Sequence, residues 1–407
     1  MLTSFSKKLS GWLKSNFPDL ILIIIILGLC VFVALRNYLP GTRLLGWDNL
    51  VPELNFKLNI ARSLSAVWQE YQGLGLLGGM AHSADLPRQL ILWAFSFALP
   101  PNFIRYFWTF LMLAIGPIGV YFLVKPMTSR LSAFVSAFFY LFNLITVQTF
   151  FTPFETFTSF YGFLPWLLAS ASGYLKTGDK KKLSTYFFVS LVATCAFYVQ
   201  TLFVVYAIIL AVFAVHAIVK YKKSGVVRSL KLGFVTLIVN AFWLLPVIYF
   251  AITSSAIPGN SHINSIATPE TQLMNLARAK ASDIATFKGY WFDYYDVGQD
   301  GKFDYLFKNW ISYTTTDTFT KVSYILFGIS IIGLIFSDFS YFILLVISII
   351  MLLGGAFHGV PILSEIFRNA FTKWGNVLIL VTSVGMGVAV YKSKKLGILV
   401  AGVVIAG

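Results

Sequence analysis

The sequence predicts an all-α, polytopic membrane protein, and three observations carry that reading. The 407 residues are 57% hydrophobic and only 12% charged, half the charge of an ordinary soluble domain. Apolar runs of spanning length, such as "LILIIIILGLCVFVAL", recur from one end of the chain to the other. The charge between those runs is segregated by sign, which is the signature of fixed sidedness in a bilayer.

The spanning segments are expected at 20–36, 103–124, 131–151, 157–175, 184–199, 201–219, 232–253, 321–336, 340–357 and 376–391. A further apolar run, "LGILVAGVVIAG", ends the sequence, so the expected bundle has about 10–11 helices. Lys7, Lys8 and Lys14 precede the first run and no small-residue cleavage site follows it, which predicts an uncleaved signal-anchor. With the N-terminus cytoplasmic, 17 of the 31 basic residues lie on the inner side, but only Asp19, Asp179 and Asp338 of the 16 acids do. The net charge of +15 therefore reads as topology signal, not as a nucleic-acid surface. Cys30 and Cys195 both sit in apolar runs, which excludes a disulfide framework or a thiolate metal motif.

The segment 86–100, "LPRQLILWAFSFALP", is too short to cross and is bounded by prolines, so it predicts an interfacial or re-entrant helix. Two outer regions follow, 37–102 and 254–320. They divide the chain into an N-terminal module (1–253), an outer loop region (254–320) and C-terminal membrane helices (321–407). Within the first outer region, Leu54, Leu58, Ala61, Leu64, Trp68 and Tyr71 recur at helical spacing behind Pro52. An amphipathic helix in the headgroup plane is expected there. The glycine-rich "GLGLLGGMAHSADLP" that follows, carrying His82 and Asp85, reads as a flexible lid or lipid-access rim.

Residues 44 to about 175 resemble the GT-C glycosyltransferases, specifically the N-terminal part of the mycobacterial α-1,3-arabinofuranosyltransferase type. The resemblance rests on "GWDNLVPELNF…ARSLSAVW", "ALPPNFIRYFWTFLMLAIGPIGVYFLV", "SAFVSAFFYLFN" and "TPFETFTSFYGFLPWLLA". It implies transfer of a sugar, such as arabinofuranose, from a polyprenyl-phosphate donor to a cell-envelope glycan. The work would be done at the outer face of the cytoplasmic membrane. Members of that family are longer, so this chain reads as a fragment or a shortened relative. Beyond residue 180 only the hydropathy pattern corresponds.

The resemblance places the catalytic acid of the first outer loop on Asp48, as general base for the acceptor hydroxyl. The residues themselves allow a plainer role, since Asp48 and Asn49 are both suited to cap the helix that contains Pro52. Glu53 stands four residues before Lys57, which predicts an exposed helical ion pair with a secondary place in the site. Glu155, in "TPFETF" at the end of a crossing, is a candidate acceptor-binding group. Arg88 and Arg105 are candidates for the donor phosphate, against simple snorkelling at the interface. His82 and Asp85 complete the substrate-binding set, and no metal ligand is assigned among them.

No cofactor is expected. Calcium enters only through "FDYYDVGQDGKFD", where Asp296, Asp300, Gly301 and Asp304 fall at loop positions 1, 5, 6 and 9. The bidentate acid needed at position 12 is replaced by Phe307. The aromatic residues around this stretch suit sugar stacking or an interfacial belt. Two other function classes compete: a transporter or flippase of lipid-linked saccharide, and a non-catalytic membrane assembly protein. Ionisable residues at mid-membrane depth, expected of a coupled transporter, are scarce here.

Overall fold

The computed structural model describes residues 2–44, 50–65, 68–69, 76–77, 81–254, 256–298, 301–354, 361–394, 397 and 401–402. It gives the backbone alone for 2–16, 68–69, 76–77, 258–259, 264 and 361–363. About 82% of the described residues are helical, with almost no strand among them.

Helix α1 (Leu2–Asn37) lies at the periphery, with only 17% of its apolar window buried against protein. A 3-10 turn (Pro52–Leu54), α2 (Phe56–Ser65), a two-residue hairpin of β1 (Trp68–Gln69) and β2 (Leu76–Leu77), and α3 (Leu86–Phe95) follow. Then come α4 (Ile104–Val124), α5 (Arg130–Leu141), α6 (Leu144–Phe151), α7 (Glu155–Thr177), α8 (Lys180–Ala193) and α9 (Gln200–Ser254). The second loop region holds α10 (Ala256–Gly259), α11 (His262–Ala277) and α12 (Ala281–Ala285). It ends with a hairpin of β3 (Tyr295–Val297) and β4 (Phe303–Tyr305), then α13 (Lys308–Thr314). Helices α14 (Asp317–Ile335), α15 (Phe339–Leu352), α16 (Pro361–Ile366) and α17 (Ala370–Lys392) complete the described chain.

Among the described residues, five helices are long and apolar enough to cross a membrane, or six if the bent pair α5–α6 counts as one span. They are α1, α4, α9, α14 and α17. The protein is thus an all-α, multi-pass membrane protein. Helix α9 is two helices joined at Lys222, whose φ of 52° breaks the helical path. Past the break, Ser229 Oγ donates to Ala214 O, and a side chain on Gly225 would collide with the Ala217 carbonyl. The two arms therefore fold back against each other, as the separate segments 201–219 and 232–253 anticipate.

Close helix packing is bought with small residues, as expected where apolar burial gives no net drive between helices in lipid. A Cβ on Gly385 of α17 would overlap the Ser330 carbonyl of α14, and one on Gly333 would overlap Gly385 in return. Helix α17 is the axis of the bundle, with 94% of its window buried. Between α5 and α6 the helix bends by 47°. Asn143 makes that break tolerable. Its Oδ1 accepts from Thr146 N at 2.9 Å and its Nδ2 donates to Phe139 O and Tyr140 O, the latter shared with Thr146 Oγ1 and Tyr161 Oη, so the carbonyls at the break are satisfied.

Three expectations for the first loop are corrected. The helical stripe stops at Ser65, and Trp68 lies in β1 instead; Tyr71 is outside the described residues. The N-cap of α2 is Asn55, whose Oδ1 accepts from Leu58 N at 3.0 Å, so the helix starts after Pro52 and not at Asp48–Asn49. Residues 81–85 are not an exposed lid: His82 through Asp85 form a 3-10 turn buried on all four side chains. The short α3 agrees with a segment that does not cross.

Candidate functional site

Five ionisable side chains from four separate stretches of the sequence converge where the first loop meets the ends of α4 and α7. Arg88 of α3 holds Asp85 through two parallel bonds, Nε to Oδ1 at 2.6 Å and Nη2 to Oδ2 at 2.8 Å. Its remaining nitrogen, Nη1, lies 3.1 Å from Glu155 Oε1. Arg105, in the first turn of α4, reaches the same Glu155 oxygen at 2.9 Å and Glu53 Oε1 at 2.9 Å. Arg105 Nη2 also donates to the carbonyl of Leu50. All five side chains are 7% exposed or less.

The local structure explains how these groups are held. Pro52 starts the 3-10 turn that carries Glu53. Glu155 is the first residue of α7, where the helix dipole favours a carboxylate. Arg105 sits at the corresponding end of α4, where that dipole opposes it, and the two glutamates supply the compensation. Gln89 Nε2, one position on from Arg88, donates to Asp85 Oδ2 at 2.9 Å and to Ser63 Oγ at 2.8 Å. Ser83 Oγ bonds Ser63 O, and Thr194 Oγ1 bonds Ala84 O at 2.9 Å. Trp108 Nε1 donates to Ser159 Oγ at 3.1 Å, fixing α4 to α7 one turn further along.

Burial by itself would weaken the charge of Arg88, but Asp85 and Glu155 more than reverse this and hold its pKa above the ordinary arginine value. Such a cluster is costly to break, because removing one partner leaves the others charged and dry.

Most of the residues singled out in the sequence therefore meet in space: Glu53, Asp85, Arg88, Arg105 and Glu155. His82 adjoins them, with its ring edge-on to Tyr198 at 5.3 Å. Asp48 lies outside the described residues. Two readings change. Glu53 does not form an exposed pair with Lys57; its side chain is 4% exposed and bound to Arg105. Arg88 and Arg105 do not snorkel, since both are enclosed and committed to carboxylates. Spacing of four favours the Lys57 pairing only on an exposed helix, and here the turn before α2 points Glu53 inward.

Within the 292–304 stretch, β3 pairs with β4 and sets Asp296 directly across from Asp304. Asp304 is taken up by Lys308, Nζ to Oδ2 at 2.5 Å, and Asp300 lies outside the described residues. No group of three or more metal-ligating side chains occurs among the described residues.

A second polar centre is absent from the sequence reading. Gln148 of α6 donates to Phe287 O at 2.8 Å and accepts from Gly289 N at 2.9 Å. Arg278 forks onto Asp293 and approaches Asp283 at 3.5 Å. The aromatic content of "GYWFDYYD" was the one available signal. Its Trp291 stacks on Phe154, the neighbour of Glu155, at 6.2 Å.

At the far end of α4, Asp19 of α1 accepts from Tyr121 Oη at 2.5 Å and pairs with Lys125 at 2.9 Å and Arg130 at 3.2 Å. Residues 105 and 125 are separated by roughly 30 Å along a helix, the thickness of a bilayer's hydrocarbon core. One ion cluster thus sits at each end of the same helix. A search of protein-family models and of curated proteins finds no match to this chain.

Proposed function

We propose that the chain is a membrane glycosyltransferase of the GT-C kind. It transfers a sugar, a pentofuranose such as arabinofuranose fitting the resemblance, from a polyprenyl-phosphate donor to a cell-envelope glycan. The reaction belongs to the outer face of the cytoplasmic membrane, in a bundle of ten or eleven spans. The observation that carries this reading is the buried five-residue cluster, which ties the first loop to the ends of α4 and α7. A loop that only connected two spans would need no such anchor.

Arg105 binds both Glu53 and the Leu50 carbonyl. Leu50 is two peptide units from Asp48, so the proposed base is tethered within about 7 Å, Cα to Cα, of an anchored residue. In the proposed step Asp48 accepts the proton of the acceptor hydroxyl. That oxygen bonds to the anomeric carbon as the carbon–oxygen bond to phosphate breaks, and the polyprenyl phosphate leaves with the electron pair. Direct displacement inverts the anomeric centre. Glu155, Asp85 and Glu53 hold the two arginines in place and shape the floor beneath the acceptor. Asp48→Asn in a transfer assay with lipid-linked sugar tests the base.

A second reading, a non-catalytic assembly protein, draws on the mutual saturation of the cluster, in which each arginine is already committed to carboxylates. Transfer activity that depends on Asp48 separates the two.

A further inference from the structure

Helix α11 carries its polarity the wrong way round for a helix in water. On its inner side Gln272 Nε2 donates to Ser364 O at 3.2 Å. Asn275 Oδ1 accepts from Phe371 N at 3.3 Å, and its Nδ2 donates to Arg368 O at 3.4 Å. Thr268 Oγ1 accepts from Arg368 Nη1 at 3.1 Å. These groups bind α16 and the start of α17. On the opposite side Ile263, Ile266 and Leu273 are 76%, 69% and 67% exposed. A helix at an aqueous surface buries its apolar stripe and turns its polar side chains outward. Here the amides are spent on protein and the apolar stripe is left outside.

Two neighbouring helices measure the depth at which α11 lies. Helix α15 starts after Asp338, which pairs with His216 at 3.3 Å, and its 14 residues rise about 21 Å. Just past its end, a side chain on Gly354 would meet Leu276 of α11. Helix α17 ends at Lys392, and from there back to Phe371, whose N–H reaches Asn275, the rise is about 32 Å. With Asp338 and Lys392 marking one face of the membrane, α11 lies about 21–32 Å from that face. The hydrocarbon core is about 30 Å thick, so α11 runs along its far boundary.

The chain on either side agrees. The candidate span α9 exposes Leu245 and Ile252 near its end, and Ile257 of α10 carries the apolar surface on to Ile263. After α11 the charges return, with Arg278, Lys280 and Asp283 in close succession. Glu270 is exposed on the same side as the stripe. A carboxylate is expelled from hydrocarbon but tolerated among headgroups, which sets the helix at the boundary and not inside the core.

We propose that α11 is a membrane-surface helix whose Ile263, Ile266 and Leu273 stripe is inserted into the lipid leaflet at that boundary. The occupant of the stripe is the glycerol and upper acyl region of phospholipids, the depth at which such helices settle. Residues 256–277 then belong to the bilayer, and the aqueous part of the 254–320 region begins near Arg278. The inference is independent of sugar transfer.

Nitroxide labels on Ile266→Cys and Leu273→Cys, each in the full chain in phosphatidylcholine vesicles, test it by EPR power saturation. Molecular oxygen partitions into hydrocarbon, whereas a neutral nickel chelate, equilibrated across both faces, stays in water. Cys30 and Cys195 are buried, so the unaltered chain serves as the labelling blank. Leu237→Cys, exposed on α9, is the lipid reference, and Lys223→Cys, exposed beside the break in α9, is the aqueous one. The ratio of oxygen to nickel collisions at both α11 positions is expected to approach that of Leu237→Cys and to exceed that of Lys223→Cys severalfold. Nickel access equal to that at Lys223→Cys puts the stripe in water and overturns the proposal. Protection from both probes means that protein covers the stripe and overturns it as well, with dipolar broadening identifying a second copy as the cover. If either variant does not fold, Ile263→Cys takes its place.

Discussion

Arg105 Nη1 lies 2.9 Å from Glu155 Oε1, joining the first turn of one helix to the first residue of another inside a shell with almost no solvent contact. The same guanidinium holds Glu53. Replacing it with Met leaves the buried Glu53 carboxylate without its cation and Glu155 with Arg88 alone, a loss of roughly 3–5 kcal/mol by analogy with other broken buried pairs. Thermal unfolding in detergent should show Arg105→Met far less stable than Lys57→Met. Equal melting temperatures would return Glu53 to the exposed helical pair that its spacing suggests.

The capping of α2 by Asn55 separates structure from chemistry in the first loop. Asn55→Ala should lower stability by about 1 kcal/mol, the usual value of a lost N-cap. Asp48→Ala should leave the unfolding midpoint where it was. A loss of stability in Asp48→Ala comparable to that in Asn55→Ala would show that the aspartate is structural after all.

Glycine at the α14–α17 crossing is required by backbone contact. Gly385→Ala places a methyl against the Ser330 carbonyl, and overpacking of this kind costs about 1–3 kcal/mol. Gly328, on the same α14, has open space around it, so Gly328→Ala should be neutral or slightly stabilising. Unfolding midpoints of the two variants, read side by side, check the pair.

The long apolar helices were legible because they lie in contiguous apolar runs, although five or six of the described ones reach spanning length against the ten or eleven expected, and the polar helices α11 to α13 carry no such run. The α5–α6 bend was less so: Asn143 reads as a polar interruption, and only its contacts to Phe139 O and Tyr140 O show that it repairs the break. The site was half legible. Glu155 and Asp85 stand out as acids beside apolar segments, but their partners do not, because Arg105 meets Glu53 and Glu155 only after three elements converge. Local spacing then gave Glu53 the wrong partner, and the helical stripe ran on to Trp68 where the chain has already turned into a hairpin. Gln148 had no local signal, since its meaning lies in a turn contributed by a segment more than a hundred residues away.

The central claim is that the anchored first loop presents a general base. The most direct measurement is the rate of sugar transfer from a polyprenyl-phosphate donor by the unaltered protein and by Asp48→Asn, at matched melting temperatures. The account expects transfer by the unaltered protein and a loss of about 100-fold or more in the variant, the scale of a missing general base. Transfer at an undiminished rate in Asp48→Asn would contradict it, and absence of transfer by the unaltered protein across lipid-linked sugars would favour the assembly-protein reading.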